Sequence, residues 1–293
     1  MKNSFYIAGG DLRSVYLAKA LAKEGYEVKV FALEKANLPE RIGIIEKTED
    51  FEKAGNVILP LPVCDSEGFL KAPFSEEKIK VSEIVEHLPE DSVLMGGLIP
   101  KELVSAAKTK GINLFDYYYR EEFSVRNAAL TAEAAAAKLL EMLSESISTV
   151  PVLILGHGRI GRLLSAILKA LDAKVTVAAR RFSELAWIRS EGMTPLEFRL
   201  LDEEIGKFKV VFNTVPAPVL TKEKLVLMDR NAIIIDLASE PCGTDFSAAK
   251  ELGITAEKAL GLPGKFAPKT AGEIIKDTVL NILAEMEENS DAR

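Results

Sequence analysis

A glycine-rich loop is the strongest local signal for a binding site in the sequence. Gly156, Gly158 and Gly161 form a Gly-x-Gly-x-x-Gly pattern between an apolar run (residues 152–155) and a helical pattern that continues to Leu171. In this context the first glycine permits a tight turn, the second lets a pyrophosphate approach, and the third lets helix and strand pack closely. The following helix start supplies N–H donors and positive potential. We predict that this loop, which also contains His157, Arg159 and Ile160, binds a dinucleotide; the alternative is a glycine-rich turn without a ligand.

The next predicted strand, residues 175–179, bears on the choice of cofactor. NAD-selective proteins place an acid about 20 residues after the loop, where it accepts hydrogen bonds from the ribose hydroxyls. Here the strand is followed by Arg180 and Arg181, with no Asp or Glu at its tip. Two guanidiniums can bind a 2′-phosphate, so the sequence favours NADP over NAD. The alternative is a solvated basic pair.

Two later loops follow predicted strands and are expected to line the same crevice, because the carboxyl ends of parallel strands meet at one edge of a sheet. Their candidate cofactor residues are Asn213, Thr214, Val215 and Pro216 in the first loop, and Asp236, Leu237 and Ala238 in the second.

Composition and histidine usage disfavour several classes of function. The 293 residues carry 37 Lys plus Arg against 44 Asp plus Glu, a net charge of -7, so a nucleic-acid-binding face is not expected. Neither His87 nor His157 is placed to activate a hydroxyl as the 2-hydroxyacid dehydrogenases require. No metal-ligand pattern, targeting signal or apolar run of the ~20 residues that a membrane span needs is found. We therefore expect a cytoplasmic protein without a metal.

Strands that alternate with helices predict an α/β protein of two doubly wound parallel-sheet domains joined by a long helix. That helix is expected over residues 124–143, around an alanine-rich run. We expect an N-terminal domain for substrate or partner over residues 1–130 and a dinucleotide-binding Rossmann domain over residues 131–293. The C-terminal helix, about residues 271–290, is left free to pack back on the first domain.

Several segments together resemble one family. Residues 235–246 and 261–272 are similar to the signature blocks of the A subunit of dipicolinate synthase, and residues 9–13, 127–133 and the glycine loop fit the same family. Cys242 stands where the family pattern has glycine, and His157 replaces an apolar residue.

The resemblance implies NADP-dependent oxidation of a dihydrodipicolinate-level intermediate of lysine biosynthesis to dipicolinate, with the separate B subunit of dipicolinate synthase as partner, in the mother cell of a spore-forming bacterium. Such a reaction needs a nicotinamide acceptor and a base for one proton, but no hydroxyl-activating histidine. Glu133 and Lys269 are the catalytic candidates, and Pro263 joins the cofactor set. The substrate-binding candidates are Arg13, Asn127, Thr131 and Thr270.

Two alternatives stay open. One is a cofactor-binding regulatory protein whose partner performs the chemistry, and the other is an oxidoreductase like shikimate or 2-hydroxyacid dehydrogenases. We expect a homo-oligomer, with a dimer as the simplest form.

Overall fold

The structure, a computed structural model, describes residues 4–291 and the side chains of residues 4–289. The chain divides into two compact units, of which the second is Asn127–Phe266. The first comprises the chain up to Arg126 and the segment from Ala267 onward. Each unit is described by itself below.

The first unit is built on a six-stranded parallel sheet. Its elements are β1 (Ser4–Ala8), α1 (Leu12–Lys23), β2 (Glu27–Phe31), β3 (Gly43–Ile44), β4 (Asn56–Ile58), α2 (Val81–His87), β5 (Val93–Gly96), α3 (Lys101–Thr109) and β6 (Asn113–Asp116). The strand order is β3-β2-β1-β4-β5-β6. The interior strands β4 and β5 are buried along their whole length, as expected for a parallel sheet covered on both faces.

The second unit repeats this architecture. After α4 (Glu121–Met142), which begins in the first unit, come β7 (Pro151–Leu155), α5 (Arg159–Ala170), β8 (Lys174–Ala179), α6 (Phe182–Ser190), β9 (Thr194–Glu197), α7 (Leu201–Glu204), β10 (Val210–Asn213), α8 (Lys222–Val226), β11 (Ile233–Asp236), α9 (Phe246–Leu252), β12 (Thr255–Lys258) and α10 (Leu262–Phe266). The parallel sheet has the order β12-β11-β10-β7-β8-β9.

Both sheets have the same winding. Counted within its own unit, each reads 3-2-1-4-5-6, the order of doubly wound dinucleotide-binding folds. The order reverses between β1 and β4 in the first sheet and between β7 and β10 in the second. The predicted fold class, two doubly wound parallel sheets, is confirmed.

The alanine-rich part of α4 packs into the core of the second unit. Ala132, Ala135 and Ala136 are at most 4% exposed and lie in one cluster with strand residues such as Val152 and Phe212. Small side chains allow the helix to pack close to the sheet.

The domain limits differ from the sequence-based ones, which were residues 1–130 and 131–293. The division falls after Arg126, and the chain returns to the first unit at Ala267. The last helix, α11 (Pro268–Asp291), packs along α1. Its apolar stripe, which includes Ile275 and Val279, is buried, and this contact between distant segments places the C-terminal helix in the first unit.

Gly272 lies at the closest approach of α11 to α1. A Cβ built on Gly272 would be 2.6 Å from the Arg13 carbonyl oxygen and 2.8 Å from the Leu17 nitrogen. Because both atoms belong to backbone, neither can move away without shifting a helix. A glycine is therefore required here, although glycine lowers intrinsic helix propensity.

We predict that Gly272→Ala destabilises the protein. Because both clashing atoms are backbone, we expect an overpacking cost of about 2–3 kcal/mol. The gain in helix propensity is about 1 kcal/mol, so the expected net loss is about 1–2 kcal/mol. Thermal unfolding followed by circular dichroism measures it. Asn281→Ala, at an exposed position of the same helix, is the control and should leave the midpoint unchanged or raise it. A Gly272→Ala midpoint equal to or above wild type would contradict this packing.

Candidate functional site

A cleft of about 340 Å³ lies at the carboxyl ends of the strands in the second unit. Four segments line it, and each follows a strand of the sheet. They are residues 156–158 after β7, residues 179–181 with Glu184 around the end of β8, Phe198 after β9, and residues 214–216 after β10. This is the position at which open α/β sheets bind ligands, beside the point where strand order reverses.

The three glycines of the loop have different surroundings. Gly156 has φ +96°, and a Cβ there would lie 2.6 Å from Thr214 Oγ1. A Cβ on Gly161 would collide with the Gly156 carbonyl oxygen. These two positions require glycine for protein packing alone.

Gly158 is different, because a Cβ on it would meet open space, with no atom of the described residues beyond its chain neighbours within 4 Å. Its backbone (φ -78°, ψ -165°) suits any residue, and it caps the N-terminus of α5 without a side-chain hydrogen bond. Neither strain nor packing explains a glycine at this place in the cleft. Room for a ligand against the backbone does, and the open N–H groups of a helix start suit a diphosphate.

The His157 side chain is buried and paired with a carboxylate, which does not suit a catalytic role. Its imidazole is 3% exposed, and Nε2 lies 3.2 Å from Glu191 Oε2. Glu191, at the C-terminal end of α6, also accepts from Arg162 Nη2 at 2.5 Å. The histidine thus ties the loop to α6, as expected of a residue that spaces the loop rather than moves a proton.

The two arginines after β8 both line the cleft. The Arg180 guanidinium lies over the Phe198 ring, 5.4 Å from its centroid. Arg181 Nη2 donates to Glu184 Oε1 at 2.5 Å, and this carboxylate raises the pKa of Arg181. Sequence reasoning missed Glu184 and Phe198. Glu184 was detectable from its i,i+3 spacing to Arg181, whereas nothing local marks Phe198.

The residues ending β10 and β11 form a buried network behind the cleft. Asn213 and Asp236 are paired in register and fully buried, and Asn213 Nδ2 donates to Asp236 Oδ1 at 3.0 Å. The Asp236 carboxylate also accepts from the Ala238 and Gly243 N–H groups at 3.0 Å and from the Thr244 hydroxyl at 2.6 Å. These side chains therefore hold loops rather than face the cleft.

Asn213 connects the buried network to the wall of the cleft. Its Oδ1 accepts from Val215 N and its Nδ2 donates to Val215 O, both at 3.1 Å. Thr214 Oγ1 donates to the Leu155 carbonyl at 2.8 Å. Of the predicted loop residues, Thr214, Val215 and Pro216 line the cleft. Leu237, Ala238 and Pro263 are buried, and Arg159, Ile160 and Gly161 form the first turn of α5.

Cys242 occupies a left-handed backbone position, with φ +68°. Glycine is favoured there, which accounts for the glycine that the family pattern has at this place. The thiol is 3% exposed, and burial, followed by the Asp236 charge, raises its pKa. A raised pKa disfavours the thiolate, so Cys242 is a packing residue and not an activated nucleophile.

Three substrate and catalytic candidates lie at one end of the first unit. Arg13 is in the first turn of α1, and Lys269 and Thr270 are exposed in the first turn of α11. Since Gly272 lies against the Arg13 backbone, these two helix starts are neighbours. The Arg13 guanidinium already binds Asp11 at 2.9 Å and the Leu61 carbonyl at 2.5 Å.

The other candidates lie within α4, in the second unit. Asn127 is in the helix interior, because α4 begins at Glu121. Thr131 is 7% exposed, and its hydroxyl donates to the Asn127 carbonyl at 2.9 Å. Glu133 is exposed on the same helix. Its surroundings in the second unit do not single it out as a base.

Within residues 4–291, no helix is long and apolar enough to cross a membrane. In the same part of the chain, no group of three or more His, Cys, Asp or Glu side chains could hold a metal ion.

The chain matches two family models. Residues 4–118 match the N-terminal domain of the A subunit of dipicolinate synthase. Residues 120–241 match the NAD-binding domain of D-isomer specific 2-hydroxyacid dehydrogenases, so most of the second unit is a domain of the class that binds a nicotinamide dinucleotide.

The relatives that match nearly the whole chain are A subunits of dipicolinate synthase as well. The A subunit of dipicolinate synthase from Bacillus subtilis (strain 168) is 30% identical over 290 residues, covering 96% of both chains. The crystal structure of the A subunit from Bacillus halodurans superposes with a TM-score of 0.88 at 30% identity, over 96% of this chain and 97% of that one. The corresponding crystal structure from Bacillus subtilis gives a TM-score of 0.88 at 28% identity, over 99% and 98%.

We predict that Gly158→Ala folds normally but binds dinucleotides at least about tenfold more weakly, because its methyl group enters space that only a ligand needs. Loss of a glycine N-cap costs no more than about 1 kcal/mol of stability. Calorimetric titration with NADP⁺ and NAD⁺ measures the affinity. The matched variant, Gly156→Ala, should instead lower the unfolding temperature. Undiminished affinity in a folded Gly158→Ala protein would contradict the assignment of the loop.

We predict that Asp236→Asn destabilises the second unit by about 2–4 kcal/mol, because an amide cannot accept from all four donors and leaves buried groups unpaired. Denaturant unfolding measures the loss. Asp229→Asn, at an exposed turn carboxylate that accepts from Asn231 N, should change stability far less. Equal effects of the two substitutions would show that the buried network is not an anchor.

Proposed function

The chain belongs to the family of dipicolinate synthase A subunits, and from that premise we propose that it oxidises a dihydrodipicolinate-level intermediate to dipicolinate. In this proposal NADP accepts the hydride, and the chain works with the B subunit of dipicolinate synthase during sporulation in the mother cell, as the family resemblance implies.

The observation that carries the proposal is the open space at Gly158 in the cleft. Protein atoms leave no room for a side chain at Gly156 and Gly161, whereas Gly158 between them faces open space. This arrangement fits a bound diphosphate. The diphosphate would be held by the backbone of residues 156–158 and the start of α5. The walls would be residues 214–216 on one side and Arg180, Arg181 and Phe198 on the other.

NADP is favoured by the two guanidiniums. Arg180 and Arg181 are both exposed where an acid would select NAD, and both line the cleft. A guanidinium pairs well with the 2′-phosphate of NADP, since its parallel donors match phosphate oxygens.

Formation of the aromatic ring removes two hydrogens from the dihydro ring. The oxidised nicotinamide supplies the acceptor for the hydride, and a base must take the remaining proton. We assign the proton to Glu133. We assign the substrate carboxylates to Arg13, Lys269 and Thr270, which the neighbouring starts of α1 and α11 bring together, and the remaining polar contacts to Asn127 and Thr131. Cations and helix N-termini both favour carboxylates.

A regulatory role is the second candidate. It is favoured by the scarcity of oriented catalytic groups: the His157 imidazole is bound to Glu191, and Glu133 and Lys269 are exposed. In that case the second unit would bind the cofactor while the B subunit performed the chemistry. The same histidine geometry disfavours chemistry of the 2-hydroxyacid dehydrogenase type, which needs a histidine to move the hydroxyl proton.

The test is an assay of the purified chain. With dihydrodipicolinate and NADP⁺, we expect NADPH and pyridine-2,6-dicarboxylate to form in equal amounts. Lys269→Ala should raise the KM for the dicarboxylate about tenfold or more, the scale of one lost charge-assisted contact. Lys265→Ala, at another exposed lysine, should not. Turnover only in the presence of the B subunit would favour the regulatory role. No turnover by the chain alone or together with the B subunit would contradict both candidate functions.

A further inference from the structure

The two arginines of the cleft do not have equivalent partners. Arg180 lies over the Phe198 ring, and no carboxylate of the described residues is paired with it. Arg181 is paired with Glu184, and the Arg181 Nη2 to Glu184 Oε1 distance is 2.5 Å. The side chain of Glu184 is 23% exposed and lines the cleft together with the two arginines. The cluster of Arg180, Arg181 and Glu184, which would receive a 2′-phosphate, therefore carries one net positive charge, not two.

We propose that Glu184 is a specificity-determining residue that limits the preference of this cleft for the phosphorylated cofactor. This inference rests on the proposed function, because it presumes that the cleft binds a nicotinamide dinucleotide. It adds a residue, and a direction of selectivity, that the pair of arginines alone does not give.

Glu184 acts on the bound cofactor through its charge. A phosphate that binds Arg181 must come within a few ångströms of the Glu184 carboxylate, because that carboxylate is in direct contact with the same guanidinium. The 2′-phosphate carries about -1.5 to -2 charges at neutral pH. It must therefore either displace Glu184 from Arg181 or accept like-charge repulsion. At about 5 Å in a water-filled cleft, this repulsion corresponds to about tenfold in affinity.

The unphosphorylated cofactor meets the opposite situation. Its ribose offers hydroxyl donors, and a carboxylate at this side of the cleft accepts such donors in NAD-selective proteins. The sequence places no acid at the tip of β8, but the first turn of α6 brings one to the same cleft, five residues beyond Ala179. Glu184 thus favours NAD while the arginines favour NADP. We expect the wild-type chain to bind both, with affinities within about tenfold of each other.

A purely structural role for Glu184 has a distinct signature. A carboxylate in the first turn of α6 favours that helix through its interaction with the exposed N–H groups. Removing its charge would then lower stability and would weaken NAD⁺ and NADP⁺ equally. Only a role at the 2′ position changes the ratio of the two affinities.

The experiment is calorimetric titration of the full chain with NAD⁺ and with NADP⁺, in the wild type and in Glu184→Gln. Glu203→Gln removes the same charge from an exposed position of α7 outside the cleft and is the matched control. Arg181→Ala is the reciprocal variant. We expect Glu184→Gln to raise the NADP⁺/NAD⁺ affinity ratio about tenfold, Glu203→Gln to leave it within about twofold, and Arg181→Ala to lower it.

The outcomes separate the two proposals. If the wild type binds dinucleotides but Glu184→Gln leaves the affinity ratio unchanged, the selectivity role of Glu184 is wrong and the cofactor assignment stands, whatever Arg181→Ala does. If the wild type binds neither dinucleotide, both proposals are overturned. Should Glu184→Gln fail to fold, a ratio in Arg181→Ala equal to or above that of the wild type is sufficient to reject the inference.

Discussion

The close approach of backbone to backbone at the end of β7 is the constraint on which the second unit depends. Gly161 lies directly under the Gly156 carbonyl, and Gly156 lies against Thr214, so neither position has room for a side chain. Thr214 in turn donates to the last carbonyl of β7. These contacts fix where α5 begins and which way its first N–H groups face, and they leave Gly158 open to the cleft.

The order at this turn extends to the neighbouring loops through buried polar groups. Asp236 accepts hydrogen bonds from four donors, one at the end of β10 and three in the loop after β11, and Asn213 joins it to the residues that form the cleft wall. A buried carboxylate is tolerated only when its hydrogen bonds are satisfied, and once satisfied it makes the arrangement unique. In this protein the polar residues at the ends of β10 and β11 hold the loops that shape the cleft without lining it themselves.

How much the sequence predicts depends on the range of the interaction. The sequence is sufficient to place local patterns, namely the strand–turn–helix around residues 156–161, the buried parallel strands and the basic pair at Arg180. The return of α11 to the first unit depends on a fit to α1 that begins at Gly272, more than 250 residues away in the chain. The inward direction of Asn213 and the contact of Phe198 with Arg180 are equally tertiary. No periodicity or motif encodes them.

We propose that the turn after β7 holds the diphosphate of a nicotinamide dinucleotide, and a crystal structure of the chain grown with NADP⁺ would show this contact. We expect electron density for the diphosphate against the backbone of residues 156–158, with the adenosine end toward Arg180 and Arg181. Density for the dinucleotide elsewhere, or a cleft that remains free of it at saturating concentration, would show that the turn does not hold the diphosphate.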